Sequence, residues 1–471
     1  MDFQKINTAE DIKKITPYLD LYDKDFSDLT RPNFYMWRNV YPRFYHIFDD
    51  TLIIKEVSAK DENDFRFYMP IGKNPLKAFT LMEQYCLKRH LPLIVSNLTL
   101  AEAEALSSRY HNTEIRFDRC WSDYVYIAEN MRTFKGKKFA GQRNHINKFK
   151  KLYGDYQYHT ITTDNVNIVK NFLIDMAKNK EFSSEAERIE YNLDIELIDN
   201  IFDLNAVGGY VTCGERTISV AIGEKRKNTL YVCVEKADKE FAGAYQVMVQ
   251  EFALHNTDDE VCYINREEDM GNEGLRTSKL QYQPIEIKNK YWVEIRTLFD
   301  KIATPVEIFA DNIVLNEITS ADKAEFMRLY LDDDNNKFWG YDYKEDAPAE
   351  AIAGVNSDYF VNFAANMKTT KEEYSLAVRV DGNFAGEAVF HNFDYFGNIE
   401  LGIRLLPKYQ GLGFGTSAVI AMKQYAFNTL GAHSVKMKCF LQNERSAKMI
   451  KKAGFIEESR DDKYNNFVSF S

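Results

Sequence analysis

The stretch LLPKYQGLGFGTSAVIAMKQYAF, residues 405–427, decides how the C-terminal third of the chain is expected to fold. It places three glycines, Gly411, Gly413 and Gly415, within five residues, between an apolar run and a helical pattern. Glycine allows a backbone to adopt positive φ or to approach a ligand closely. A simple turn would need one or two glycines, so this spacing indicates a loop shaped for a ligand.

The segment after the glycines has the pattern of a helix packed on a sheet. Apolar residues recur at helical spacing, at Val419, Met422, Ala426 and Leu430. The next run, 435–441, alternates apolar and polar residues as a half-buried strand does. The glycines therefore connect a strand to a helix, whose first N–H groups lack intrahelical partners and carry the positive end of the helix dipole. Such a connection is suited to binding a pyrophosphate.

Two other kinds of glycine-rich phosphate loop are excluded by the residues present. There is no Gly-Lys-Ser/Thr for a nucleoside triphosphate, and no early strand–helix–strand unit with GxGxxG. The run Gln410-Gly-Leu-Gly413-Phe-Gly415 instead resembles the Gln/Arg-x-x-Gly-x-Gly/Ala pattern of the GNAT acetyltransferase superfamily. Asn443-Glu-Arg-Ser446 and Ala453-Gly454-Phe455 extend the resemblance to the ribosomal-protein and spermidine N-acetyltransferase branch. The resemblance covers about residues 310–471.

This resemblance implies acetyl-CoA (CoA) as the cofactor, with its pantetheine arm inserted where the strand before the loop splays from its neighbour. By resemblance that strand is 399–406, and the backbone of Ile403 and Leu405 would bond the arm. The remaining implied cofactor-binding residues are Gln410, Gly411, Gly413, Gly415 and Thr416 at the pyrophosphate, with Asn443 and Ser446 at the arm and the thioester end. Asn443 has an alternative interpretation as an ordinary N-cap, and both roles can coexist.

Acetyl transfer to an amine needs a group that accepts the ammonium proton and a group that protonates the leaving thiolate. Glu387 and Glu400 are the candidate bases, and each could equally be a solvated strand residue. Many relatives carry a tyrosine acid where this chain has Ile450, so the acid stays open between Ser446, Tyr464 and water. The sequence shows no metal-ligand cluster, and this chemistry needs none.

Three stretches in the first two thirds of the chain, 136–154, 235–246 and 265–284, resemble a second family. They are similar to the C-terminal catalytic region of phosphatidylglycerol lysyltransferases and their soluble relatives. That family builds two GNAT-like units in tandem and is akin to the aminoacyl-tRNA-dependent peptidoglycan transferases. The resemblance spans about residues 1–295, without the multi-span membrane region of the lipid-modifying enzymes. This difference argues against a membrane lipid as the acceptor.

By position, the second resemblance implies six pocket residues in the tandem. They are Arg143, Asn144, Glu268, Asp269, Arg276 and Lys279. For 266–279 the alternative is a salt-bridged loop. For 137–151, which holds five lysines, the alternative is a solvated helix. A basic groove there would suit an anionic donor such as the acceptor end of an aminoacyl-tRNA.

Composition and charge limit the classes of function. The chain has 471 residues, 45% of them hydrophobic, and a formal net charge of −11, which argues against a general nucleic-acid binder. Its six cysteines include no CxxC pair, as expected of reduced cysteines in a cytosolic protein. The N-terminus lacks an apolar signal region, and no apolar run reaches the roughly 18 residues of a membrane span. We expect a cytoplasmic protein without a membrane span.

The sequence therefore predicts an α/β protein with mixed sheets, built from three GNAT-like units. Residues 1–150 and 151–297 would form a tightly fused tandem, and 305–471 the acetyltransferase domain. The favoured function is acetyl-CoA-dependent N-acetyl transfer to an amine of a small molecule or a protein. Two alternatives stay open for the tandem: an aminoacyl-tRNA-dependent aminoacyltransferase, or a non-catalytic substrate-binding module. We expect one CoA per chain, because only 410–415 forms a glycine-rich loop between a strand and a helix.

Overall fold

Three mixed β-sheets organise the computed structural model, which describes residues 1–182, 184–354 and 358–471. Contacts divide the described residues into two compact units. The first unit comprises 1–85, 94–104 and 115–293, and the second comprises 86–93, 105–114 and 294–471. The predicted fold class, α/β with mixed sheets, is confirmed.

The first part of the chain alternates strands and helices. Its elements are β1 (Gln4–Lys5), α1 (Ala9–Leu19), α2 (Arg31–Met36), β2 (Arg43–Phe48), β3 (Thr51–Val57), β4 (Phe65–Tyr68), β5 (Ile71–Gly72), α3 (Pro75–Leu87), β6 (Leu93–Leu98), α4 (Leu100–Ser107) and β7 (Thr113–Phe117). Three of the apolar positions that predict α3, namely Phe79, Met82 and Cys86, are buried. The fourth, Leu76, is 71% exposed, so the buried face of α3 is narrower than its sequence indicates.

The middle of the chain holds the strands of the second sheet and, at its end, one more strand of the first. Its elements are β8 (Asp123–Ile127), α5 (Ala128–Thr133), α6 (Ala140–Leu152), β9 (Gln157–Thr160), α7 (Val166–Lys178), α8 (Glu185–Ile198), β10 (Val207–Cys213), β11 (Arg216–Arg226), β12 (Thr229–Ala237), α9 (Ala244–Asn256), β13 (Tyr263–Asn265), α10 (Glu273–Gln281), β14 (Glu286–Lys288) and β15 (Tyr291–Ile295). Strands β10, β11 and β12 are the alternating runs predicted from the sequence.

Strand order differs from chain order in both of these sheets. The first sheet runs β1-β2-β3-β4-β6-β15-β7, with β5 paired to β3, and the second runs β14-β8-β13-β12-β11-β10-β9. Because β8 belongs to the second sheet and lies at 123–127, that sheet begins before the limit at residue 150 expected from the sequence.

The third sheet forms the frame of the second unit. Its region contains β16 (Glu307–Ala310), β17 (Ile313–Glu317), α11 (Lys323–Tyr330), α12 (Asp333–Trp339), α13 (Ala349–Ile352), α14 (Tyr359–Thr369), β18 (Glu373–Val380), β19 (Asn383–His391), β20 (Asn398–Leu405), α15 (Phe414–Tyr425), β21 (Ser434–Phe440), α16 (Glu444–Lys452), β22 (Ile456–Arg460) and β23 (Tyr464–Phe470). The strand order is β16-β17-β18-β19-β20-β21-β23-β22.

Local sequence accounts for the elements that surround the glycine loop. Asp381 and Gly382 both adopt positive φ, as a tight hairpin turn requires, and join β18 to β19. The predicted apolar stripe of α15 and the turn after it is buried at all four positions: Val419, Met422, Ala426 and Leu430. In β21 the side chains alternate between buried and exposed, as the period of two predicts.

Each sheet contains a parallel pair built in the same way. The pairs are β4 with β6, β12 with β13, and β20 with β21, and one helix connects the strands of each pair: α3, α9 and α15 respectively. This repeated strand–helix–strand unit fits the three GNAT-like units predicted from the sequence. Within the described residues, no helix is both long and apolar enough to cross a membrane.

Candidate active site

Strands β20 and β21 pair only at their N-terminal ends. The parallel register runs from Asn398 opposite Ser434 to Glu400 opposite Lys436, and it stops there although both strands continue. The later parts of the two strands therefore face a gap, which lies directly before the glycine loop. This is the splayed pair that the GNAT resemblance implied.

The backbone of Ile403 and Leu405 points toward this gap. On the opposite edge of the strand, Leu406 N donates to Ala385 O at 2.9 Å. Residues of an antiparallel pair bond alternately to the partner strand and away from it. Positions 403 and 405 therefore direct their N–H and C=O groups away from β19, which agrees with the role that the resemblance implied for them.

Gln410 ties the glycine loop to the end of β20. Its Nε2 donates to Leu405 O at 2.9 Å, and Asn335 Nδ2 donates to the same oxygen at 3.3 Å. The sequence placed Gln410 among the groups that hold the pyrophosphate. Because its side-chain amide already binds the strand, we assign it a positioning role: it sets where the loop leaves the sheet.

The three glycines differ in their structural roles. Gly411 and Gly413 adopt left-handed conformations, with φ of 75° and 92°. Gly415 has an ordinary helical backbone, but a Cβ there would lie 3.1 Å from Met449 Sδ of α16. A Cβ on Gly413 would face open space. Backbone conformation and helix packing therefore account for these glycines in addition to the close approach of a ligand.

The N-terminus of α15 presents unpaired backbone amides to that open space. Gly413 is its N-cap, and among the described residues no side chain caps this end. The first intrahelical bond runs from Ser417 N to Gly413 O at 3.1 Å. The amides of Phe414, Gly415 and Thr416 are therefore left for an anion.

Helix α16 borders the same loop. Asn443 is its N-cap, and its Oδ1 accepts from Ser446 N at 3.1 Å, so the N-cap interpretation is confirmed. Ser446 is half-buried in the first turn. Arg445, which the sequence did not single out, brings its Nη2 to 3.9 Å from the position of a Cβ on Gly411. Its guanidinium adds a positive charge beside the glycine loop.

Glu387, one of the two candidate bases, is enclosed in the core. Its side chain is 1% exposed, and its Oε2 accepts from Arg404 Nε at 2.8 Å. Its Oε1 accepts from Tyr330 Oη at 3.0 Å. The Arg404 guanidinium in turn lies over the rings of Tyr330 and Trp339, at 3.9 and 4.5 Å. Substrate has no access to this carboxylate, which corrects its assignment as a base: Glu387 positions Arg404.

Glu400, the other candidate, stands where the strands begin to separate. It is the last β20 residue paired with β21. Asn392 Nδ2 donates to its Oε2 at 2.8 Å, and Lys438 Nζ lies 3.2 Å from its Oε1. The structure thus brings Glu400 to the gap, with its carboxylate already engaged by two donors.

Tyr464, a candidate acid, lies at the open end of β21. It pairs with Phe440, and the two rings are 4.7 Å apart. Lys438 Nζ lies 5.7 Å from the centre of the Tyr464 ring. The hydroxyl lies 3.7 Å from the position of a Cβ on Gly340. Tyr464 therefore borders the gap, and its role as the acid stays a prediction.

Three residues were not predicted from the sequence: Trp339 and His391, which lie beside the gap, and Glu373 of β18, which is paired with His391. A Cβ on Gly402 of β20 would lie 2.8 Å from the Trp339 ring and 3.7 Å from His391 Nε2. The indole and the imidazole therefore cover the cofactor strand beside the gap. His391 lies on the same face of β19 as Glu387. Because side chains alternate between the two faces of a strand, counting from Glu387 would have predicted this position.

Burial changes the acidity of two of these groups. Burial raises the pKa of Glu373 to about 7; the nearby Glu387 charge adds to the rise, and Arg404 opposes it. Burial lowers the pKa of His391, and the Glu400 charge opposes that change. At neutral pH the imidazole is therefore neutral and able to accept a proton.

In the first unit, Arg143 and Asn144 do not form a pocket with the other predicted residues. Arg143 Nη1 donates to Phe134 O and, at 2.6 Å, to Gly136 O. These hydrogen bonds stabilise the turn before α6. Asn144 is exposed on α6. The five lysines of 137–151 are also exposed, which fits the solvated-helix alternative: Lys137, Lys138, Lys148, Lys150 and Lys151.

Asp269 and Arg276 form the salt-bridged loop that the sequence left open as an alternative. The Arg276 guanidinium donates to both Asp269 oxygens at 2.9 Å, and Tyr124 Oη donates to Oδ2 at 2.6 Å. Burial raises the pKa of Asp269, but these hydrogen bonds outweigh it and bring the pKa to about 2. Lys279 is buried too, and its Nζ donates to Arg266 O at 2.6 Å. These three residues hold the loop rather than a ligand.

Glu268 lines a cavity of about 110 Å³ within the first unit. Beside it, the buried ammonium of Lys290 lies 2.5 Å from Asp28, 2.7 Å from Asp123 and 3.4 Å from Glu268. One ammonium thus faces three carboxylates. Aromatic rings form much of the wall: Trp37, Tyr41, Tyr68, Trp121, Tyr291 and Trp292.

Two nitrogen donors in the wall of this cavity lack hydrogen-bond partners among the described residues. Arg43 is 3% exposed, and its Nε donates to Glu56 Oε2 at 2.9 Å. Its Nη1 is buried without a hydrogen-bond partner among the described residues. Asn97 Nδ2, on the same wall, is buried and unpartnered in the same described set. The cavity therefore offers an acidic cluster and two free donors.

The splayed strands, the glycine loop and the uncapped helix define an acyltransferase of the GNAT class, and a model described as acetyltransferase (GNAT) domain matches residues 312–456. The model described as phosphatidylglycerol lysyltransferase, C-terminal, matches residues 20–294, and the chain belongs to that family. Both resemblances seen in the sequence are confirmed.

Individual relatives each match part of the chain. A crystal structure of a conserved protein of unknown function from Bacteroides thetaiotaomicron is 30% identical, with a TM-score of 0.56, covering 62% of this chain and 99% of that one. An uncharacterized protein of Mycoplasmoides gallisepticum is 24% identical over 209 residues, 43% of this chain and 65% of that protein's length. Uncharacterized N-acetyltransferase YnaD of Bacillus subtilis is 27% identical over 141 residues, 28% of this chain and 81% of its own.

Proposed function

We propose that the second unit transfers an acetyl group from acetyl-CoA to an amine of a small molecule or a protein. The feature that carries this proposal is the gap between β20 and β21, which opens directly onto the uncapped N-terminus of α15. A pantetheine arm needs an unpaired strand edge to bond, and a pyrophosphate needs free amides. Both are found next to each other here.

The residues around the gap fit CoA. Gly413 leaves open space before the helix amides, and Arg445 adds a guanidinium at the loop. Ile403 and Leu405 would orient the pantetheine arm through their backbone groups, and Ser446 stands in the first turn of α16. When bound, acetyl-CoA supplies the activated acyl carbon, and holding it beside the amine provides much of the rate enhancement.

The test is turnover by the whole chain. Acetyl-CoA would be supplied with a panel of primary amines (polyamines, amino acids and peptides with free N-termini), thiol release would be followed, and acetylated products would be identified by mass spectrometry. We expect release of CoA that depends on the amine, with a product heavier by one acetyl group. Thiol release that is equal with and without every amine, in a protein that binds CoA, would refute amine acetylation.

A second candidate function concerns the first unit, because its cavity pairs an acidic cluster with free donors. We infer that this cavity holds the aminoacyl group of an aminoacyl-tRNA, as expected of a relative of the lysyltransferases. Asp28 and Glu268, which line the cavity, would accept hydrogen bonds from an ammonium, while Arg43 Nη1 would donate to a carbonyl. Filter retention of aminoacylated tRNA, with uncharged tRNA as the control, tests this. Equal retention of both would leave the tandem as a substrate-binding module.

A further inference from the structure

The proposed acetyl transfer lacks an accessible base among the carboxylates named from the sequence. Glu387 is buried in an ion pair with Arg404, and the Glu400 carboxylate is engaged by Asn392 and Lys438. The group that takes the proton of the acceptor ammonium must lie beside the gap and have an unengaged acceptor atom.

His391 satisfies both conditions. It is the last residue of β19, its side chain is 20% exposed, and Nε2 lies 3.7 Å from the position of a Cβ on Gly402. Nε2 is 3.9 Å from Glu400 Oε1, which is too far for a hydrogen bond. The imidazole therefore stands over the cofactor strand at the point where the strands separate.

Glu373 stands behind His391 on the next strand. The register pairs Glu373 of β18 directly with His391, and His391 with Glu400 of β20. Side chains of directly opposed residues have Cβ atoms about 5 Å apart. Among the described contacts, no hydrogen bond or ion pair engages the Glu373 carboxylate, unlike those of Glu387 and Glu400.

Resting on the proposed acetyl transfer, we propose that His391 is the catalytic base for the acceptor amine and that Glu373 receives the proton from it. The neutral Nε2 takes one proton from the ammonium, and the freed lone pair attacks the thioester carbon. The new C–N bond forms as the C–S bond breaks. The sulfur keeps the bond pair and takes a second proton from the nitrogen. One proton thus leaves through His391 to Glu373 and then to solvent.

The charges around the pair are consistent with this direction of transfer. His391 faces Glu373 on β18, Glu400 on β20 and Lys438 on β21, and burial keeps its pKa below the usual value. Around Glu373 stand Glu372, Glu387, Arg404 and Tyr343, and burial raises its pKa to about 7. Glu373 accepts a proton only when ionised, so we expect activity to fall as pH drops through about 7.

The experiment compares His391→Asn with His433→Asn in the full-length chain. His433 is exposed in the second unit and directly precedes β21, at the end where β20 and β21 are still paired. Its variant should therefore keep the wild-type rate. General base catalysis contributes about 10²–10⁴-fold, so His391→Asn should lower kcat by at least about 100-fold. Its Kd for CoA, measured by calorimetry, should stay unchanged. Glu373→Gln should lower kcat and remove the limb of the pH–rate profile near 7, and Glu373→Asp should restore part of it.

Wild-type kcat in His391→Asn would overturn the inference, as would a loss of CoA affinity that accounts for the lost rate. A pH–rate profile unchanged by Glu373→Gln would remove Glu373 from the path and overturn the relay. Failure of the wild type to bind CoA would instead overturn the proposed function together with this inference. The CoA calorimetry therefore separates the two failures.

Discussion

Replacing Gly413 by glutamate would place a carboxylate in the open space before α15. The residue keeps a left-handed backbone with φ of 92°, which costs a side chain about 1–2 kcal/mol. Two unit charges about 4 Å apart repel by about 4 kcal/mol at an effective dielectric constant of 20. Since about 1.4 kcal/mol changes an affinity tenfold, the repulsion alone weakens binding of a CoA pyrophosphate by about three orders of magnitude.

The assay is calorimetric titration of CoA, and the hairpin glycine supplies the control. Gly382 also has positive φ, at 77°, and a Cβ there would also meet open space. Gly382→Glu therefore carries a similar backbone cost and the same added charge, away from the loop. We expect similar small losses of melting temperature in both variants, and loss of CoA binding only in Gly413→Glu. A folded Gly413→Glu that binds CoA with wild-type affinity would refute the anion site at α15.

Three further predictions concern the core, the loop of the first unit and the cofactor count. Glu387→Gln should lower the free energy of unfolding by about 3–5 kcal/mol in a urea titration, because Arg404 is left buried without its counter-ion. Asp269 has a lowered pKa, so its stabilisation is present above about pH 4 and is lost as pH falls toward 2; Asp269→Asn should flatten the acid-unfolding profile there. CoA titrated into the whole chain should saturate at one equivalent, and a second equivalent would contradict this.

Local pattern was enough to predict the frame of the site. The helical stripe after the glycines, the alternation in β21 and the hairpin at Asp381 and Gly382 all depend on neighbours within a few residues. The N-cap at Asn443 is equally local. These features correspond to single turns or single strands, whose geometry follows from residue spacing and from the conformations that glycine allows.

The chemistry of the gap could not be predicted in the same way because it depends on cross-strand register. Glu387 looked like a free strand carboxylate until the register placed Arg404 opposite it. His391 of β19 and Trp339 of α12 are far apart in the chain, yet both lie beside Gly402 of β20. A sequence shows which residues share a face of one strand, but the pairing of strands decides which charges cancel and which stay available.

A glycine precedes each of the three helices that join the parallel strand pairs, but the surroundings of these glycines differ. At α15 a Cβ on Gly413 would meet open space. At α9 a Cβ on the N-cap Gly243 would lie 2.8 Å from His145 O and 3.1 Å from Phe149 Cβ, so α6 covers that helix end. Before α3, a Cβ on Gly72 would lie 2.2 Å from Asp50 O. In the first unit these two glycines serve close packing of the chain on itself, whereas Gly413 leaves open space before α15. Because neither glycine opens a space before its helix as Gly413 does, we expect the tandem to keep the GNAT strand–helix–strand frame without a glycine-lined anion site, and a single CoA to bind per chain.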